Sequence, residues 1–209
     1  MTDSRTEMLA RIDAALAGRA APPPVPRDYL STRDFGGRDG LVDLAEERIA
    51  DYRATVHRVP AAGLTARIGE ILADRAPGTM VTPLGVPSGW RIDGVAWLVD
   101  RQDQPLTVPE LDGVGGVLTG CALVIAETGT IVLDSGPDQG RRVLTLVPDY
   151  HLCVVRAEQI VGTVPEAIAL LAPVRPITFI SGPSATSDIE FDRVEGVHGP
   201  RTLDVLITV

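Results

Sequence analysis

Beyond residue 78 the chain repeatedly enters short aliphatic runs that do not alternate with polar residues. Residues 79–82, 95–99, 122–126, 130–133, 152–155, 177–180 and 203–209 are such runs. A strand with one wet face alternates apolar and polar residues, whereas an unbroken run belongs to a strand covered on both faces. Helical spacing fills the gaps. Leu41, Leu44, Ala45, Ile49 and Tyr52 recur on one face, with Glu46, Glu47, Arg48 and Asp51 on the other. Leu64, Ile68, Ile71 and Leu72 mark a second helix that stops near Gly78, a β-prone run at 54–59 lies between the two, and a third helix is predicted at about 164–171. Alternating α and β elements with two-sided strands predict a three-layer αβα sandwich around a largely parallel sheet. Glu127-Thr128-Gly129 between two aliphatic runs predicts a tight reversal or a bulged strand.

The first 27 residues read differently. Residues 4–17 predict a helix whose Ser4-Arg5-Thr6-Glu7 has capping-box spacing and whose Leu9, Ile12 and Leu16 form a narrow stripe. Gly18 and then Pro22, Pro23, Pro24 and Pro26 end it in an extended link. The division is therefore an arm and link at 1–27 and a domain at 28–209. The arm's expected role is packing on its own or a neighbouring subunit, a route to a homo-oligomer.

Composition removes whole classes of function. A net charge of -9 argues against nucleic acid, and 4% aromatic residues against a base-stacking platform. All 19 basic residues are Arg, so there is no amine for a Schiff base, a pyridoxal phosphate anchor or a Walker-type loop. Two cysteines, Cys121 and Cys153, make neither a disulfide framework nor the usual four ligands of an iron–sulfur cluster. Flanked by aliphatic residues, they read as small core residues. The opening residues lack an apolar signal core, and no apolar run approaches the roughly 18 residues of a membrane span. The expectation is a cytosolic protein without membrane or nucleic-acid partners.

Two segments have the residue types for a site. Glu127 ends an apolar strand and is followed by Thr128, Gly129 and Thr130, where backbone can turn closely around a ligand. A desolvated carboxylate there suits a base or an acyl-accepting nucleophile; the alternative is an acid bonded to turn amides. The second runs Ser181-Gly182-Pro183-Ser184 and on to Asp188 and Glu190. Hydroxyls and amides after a buried strand gather around anions, and an open α/β sheet would put this loop at its carboxyl edge. Its alternative is a turn with a helix cap. Arg141-Arg142 reads as a bidentate clamp for carboxylate or phosphate, or as a solvated pair. His151 and His198 are candidates for ligand contact or for structure. His57, His151 and His198 lack metal-ligand spacing.

The runs AETGTIVL (126–133), LTLVPDYHLCVV (144–155), SGPSATSDIE (181–190) and GVHGP (196–200), in this order, resemble the LUD-domain family, on its lactate-utilisation protein C branch. The resemblance covers about 28–209. It implies a fold like that of the ribose-5-phosphate isomerase, glucosamine-6-phosphate deaminase and coenzyme A transferase superfamily. It also implies a component of a bacterial system oxidising L-lactate to pyruvate, in which iron–sulfur clusters sit in partner oxidoreductase subunits and none in this chain. The chain itself would be an accessory or small-organic-anion-binding subunit. The alternative the resemblance leaves open is an enzyme using Glu127, by acyl transfer or by sugar-phosphate isomerisation. The sequence departs from the family at Ala185, where a basic residue is common, and at Cys121, where an acid is common.

Overall fold

The computed structural model describes residues 3–18, 23–172, 174–186, 194–195 and 198–209. Two compact units divide the chain, one up to Leu30 and one from Ser31 onward. The first contains helix α1 (Ser4–Leu16). Its cap is Asp3, whose carboxylate accepts from the Arg5 amide, one residue ahead of the predicted Ser4. Thirteen residues with no buried side chain lack the packing that stabilises most helices of this length.

The second unit is built on a six-stranded sheet. In chain order its strands are β1 (Thr55–Val59), β2 (Thr79–Pro83), β3 (Ala96–Asp100), β4 (Gly116–Thr119), β7 (Tyr150–Arg156) and β12 (Thr202–Thr208). In space they run β1-β12-β7-β4-β2-β3, every pair parallel. Side chains of β7 divide between the two faces as the period of two demands. Leu152 and Val154 pack with Ile68, Ile71 and Leu72 of helix α3 (Leu64–Arg75). Cys153 and Val155 pack with Val42, Ala45 and Ile49 of helix α2 (Gly37–Asp51). Residues such as Ile49 and Leu72, almost wholly buried, each contribute about 2 kcal/mol by leaving water.

The layer on the α2 side also holds a second sheet. Strands β5 (Leu123–Ile125), β6 (Thr130–Leu133), β8 (Ile160–Val161) and β9 (Thr178–Ile180) pair in the order β8-β5-β6-β9, with β5–β6 and β6–β9 antiparallel. The predicted sandwich is present, but three of the aliphatic runs lie outside its central sheet. The two-stranded β10 (Ala185–Thr186) and β11 (Val194–Glu195) pair separately. Short helices α4 (Val108–Asp112) and α5 (Val164–Leu170) open with reciprocal capping boxes, Thr107 with Glu110 and Thr163 with Glu166.

One buried ion pair fastens α3 to the sheet. Arg75 forks onto Asp204 of β12 at 2.6 and 2.7 Å, and the Tyr150 hydroxyl donates to the same carboxylate at 2.9 Å. The guanidinium also lies 4.8 Å from the Tyr150 ring centre. Burial, then the Asp204 charge, pushes the Tyr150 phenol well above its ordinary range.

A candidate anion-binding cavity

The Glu127 reversal begins with a 3-10 turn at Ala126–Thr128 and closes through Gly129, whose φ of 61° is left-handed. The glycine is required by protein, not by ligand: a Cβ there would strike the Arg48 carbonyl group and the Ile49 nitrogen of α2. Glu127 itself turns to Arg33, 3.2 Å away, with both side chains well exposed. From the same turn, the hydroxyls of Thr128 and Thr130 bond at 2.7 Å, and that of Thr130 reaches the Ser181 hydroxyl at 2.9 Å. The two segments singled out in the sequence are therefore neighbours, joined through Thr130 and Ser181.

A cavity of about 260 Å³ lies on the Ser181 side of that junction. Its walls come from the edge strand β9, the Ser181-Gly182-Pro183-Ser184 bend, the Arg142–Leu146 segment, and His198-Gly199-Pro200. His151 and Leu203 form its floor. Both stand at the amino ends of β7 and β12, so the bend does not sit at the carboxyl edge of the parallel sheet. The reason is that β9 belongs to the smaller sheet. Gly182 has φ 86°, and a Cβ there would also meet the Tyr52 carbonyl just past α2, so both the backbone and the space call for glycine. Ser184 ties the two loops of the wall together: its amide donates to the Pro200 carbonyl at 2.8 Å, and its hydroxyl accepts from the His198 amide at 3.0 Å.

Arg142 is exposed, and its guanidinium has no partner among the described residues. Its neighbour Arg141 is spent differently. It forks onto buried Asp100 at 2.9 and 2.6 Å and donates to the Leu106 carbonyl at 2.9 Å. Burial raises the Asp100 pKa, but the bonds from Arg141 and the Leu106 amide outweigh it and leave this acid below the usual carboxylate range. Of the predicted residues, the cavity thus gathers Arg142, His151, Ser181, Gly182, Pro183, Ser184 and His198. Glu127, Thr128, Gly129, Thr130 and Arg141 stand outside its lining. Asp188 and Glu190 lie outside the described residues.

Behind the floor is a group the sequence did not bring together. The His151 ring nitrogen Nε2 bonds the Thr119 hydroxyl at 2.8 Å, and Cys153 follows His151 on the same face of β7. The adjacent Cys121 opposes burial and, with His151 and Thr119, draws the Cys153 thiol below its ordinary range. Cys121 moves the other way, raised by the neighbouring Cys153 and by burial. Both thiols are buried, so neither is open to a substrate in the cavity. The available signal was the i, i+2 spacing of His151 and Cys153 in a strand. Nothing in the sequence pointed to Thr119.

A family model described as the LUD domain matches residues 109–208. A lactate utilization protein C of Deinococcus radiodurans is 46% identical over 98% of this chain and 95% of the relative. The chain belongs to the LUD-domain family. Another lactate utilization protein C, from Bacillus subtilis, is 26% identical over 88% of this chain and 84% of its own length. A crystal structure of a duf162 family protein from Deinococcus radiodurans superposes with a TM-score of 0.72 at 42% identity, covering 83% of this chain and 99% of that one. The family assignment and the α/β architecture expected from the four motifs are both met. In this LUD chain the matched region runs from α4 through β12, so it carries the whole cavity wall. Among the described residues no helix is long and apolar enough to cross a membrane.

Proposed function

We propose that this LUD chain serves a lactate utilisation system as a subunit that binds a small organic anion, with oxidation carried out on iron–sulfur partner subunits. Its relatives carry the name lactate utilization protein C. The observation that carries the binding role is the charge of the cavity. In a chain of net charge -9, the described residues lining it include Arg142, His151 and His198 and no Asp or Glu. Arg142 offers an unpaired fork to a carboxylate, and the serine hydroxyls are donors for a second oxygen. Leu203, Ile180 and Pro183 supply an apolar wall for a short carbon chain. With only two cysteines, both packed in the core, the redox work falls to partners.

The test is reconstitution. Partner subunits that oxidise L-lactate should do so markedly better with this chain present, and Arg142→Gln should lose most of that gain. Equal lactate oxidation without the chain, together with no association in co-purification, defeats the proposal.

A further inference from the structure

A larger cavity, of about 1000 Å³, opens on the other side of the Arg141-Arg142 segment. It lies at the carboxyl ends of β2 and β3, where Pro83, Leu84 and Gly85 leave one strand and Asp100 and Arg101 the other. That edge is where the strand order reverses: β2 connects outward to β3, whereas β4 leads the other way to β7 and β12. Open α/β sheets bind ligands at such a place. Here the crevice between β2 and β4 is plugged by the chain's own loop. The Gly85 amide donates to the Pro137 carbonyl and the Gly120 amide to the Asp138 carbonyl, at 3.1 and 2.9 Å. A Cβ on either glycine would strike that loop. The open space is therefore displaced toward β3.

We infer that this space is a second ligand site, taking a dianion carried on a partly apolar body: a phosphate monoester or a dicarboxylate. Four guanidinium groups border it, Arg101, Arg141, Arg142 and Arg175, against the three acids Asp100, Asp103 and Asp134. Arg101 and Arg142 have no side-chain partner among the described residues, and Arg141, locked in place by Asp100, keeps Nη1 free of any described partner. The acids are mostly occupied: Asp100 by Arg141, and Asp134 by Arg175 at 2.8 Å, which leaves Asp103. The surplus is positive, in a chain that is strongly negative. Exposed Leu84, with Pro137 and Pro176, makes an apolar surface beside those cations. The volume stands at the upper end of small-molecule sites, roughly 300–1,000 Å³, so a three-carbon acid would leave it mostly filled with water.

The inference shares Arg142 with the lactate reading, and the experiment separates them through Arg101, which lines only this space, and Ser184, which lines only the smaller cavity. The full-length chain is titrated calorimetrically with adenosine 5′-monophosphate, adipate, inorganic phosphate and L-lactate, as wild type, Arg101→Gln and Ser184→Ala. Either the nucleotide or adipate should bind at least about tenfold more tightly than inorganic phosphate, and the preferred one tells phosphate ester from dicarboxylate. Arg101→Gln should weaken that ligand by about tenfold and leave L-lactate unchanged, and Ser184→Ala should weaken L-lactate several-fold and leave that ligand unchanged. Arg101 is exposed, so an unchanged unfolding midpoint is expected and shows that the fold is intact. Failure of both large probes to bind at about 10 mM, or binding indifferent to Arg101→Gln, overturns the inference. Loss of L-lactate binding alone would strike only the function proposed above.

Discussion

The reversal at 126–130 and the bend at 181–184 press on the same end of α2, and the bend also lines the cavity of about 260 Å³, from whose lining the reversal is absent. Each carries a glycine with positive φ facing helix-end backbone, Gly129 against Arg48 and Ile49, and Gly182 against Tyr52. Each carries hydroxyls, and the two meet at Thr130 and Ser181. They differ in what remains unpaired. The reversal has spent its acid on Arg33, whereas the bend faces Arg142, whose guanidinium has no partner among the described residues. A motif can therefore have the composition of a site because it clamps a helix, while its neighbour of similar composition lines a cavity.

The largest effect that sharpens this contrast is Gly129→Ala. Left-handed strain and a clash with rigid helix backbone should cost about 3 kcal/mol, measured by urea unfolding followed through Trp90 and Trp97 fluorescence. A loss below about 1 kcal/mol would show that the turn yields and that α2 is not clamped there. Gly182→Ala should cost about 2 kcal/mol, because its neighbour Tyr52 lies beyond the regular helix and yields more readily. In the same variant, L-lactate affinity should fall as the bend moves. Ser184→Ala removes the acceptor of the His198 amide and should weaken L-lactate several-fold, on the order of 1 kcal/mol, with little change in unfolding. Glu127→Gln is the smallest change. An ion pair this exposed is worth less than about 1 kcal/mol, and lactate binding should stay at the wild-type level. A collapse of binding in that variant would put the carboxylate back into the site and erase the distinction between the two segments.

Much of the fold was legible because two-sided burial leaves mostly aliphatic runs, unbroken at residues 152–155 and interrupted at 203–209 only by Asp204 and Thr208. The same property hid the second sheet. A run such as 130–133 records that both faces are covered, and not whether its neighbours are parallel or antiparallel. Strand β4 escaped because Gly116 and Thr119 dilute a four-residue element. Asp204 escaped because a single acid inside an aliphatic strand gives no sign of the Arg75 and Tyr150 waiting for it. At the site, Ser181, Ser184, Arg142 and His198 were readable from residue type and order. The partners that sort them were not, since Arg33, Thr119 and Asp100 come from distant parts of the chain.

The position of β12 bears on how the molecule is made. Residues 202–208 form an interior strand, wedged between β1 and β7. Until they emerge from the ribosome, β1 and β7 lack their shared neighbour, and the backbone edges that β12 will fill stay unpaired. Sheet closure must wait for contacts spanning most of the domain's length, which favours slow assembly. A nascent chain halted before residue 202 is a natural client for whatever shields unpaired edges in the cell.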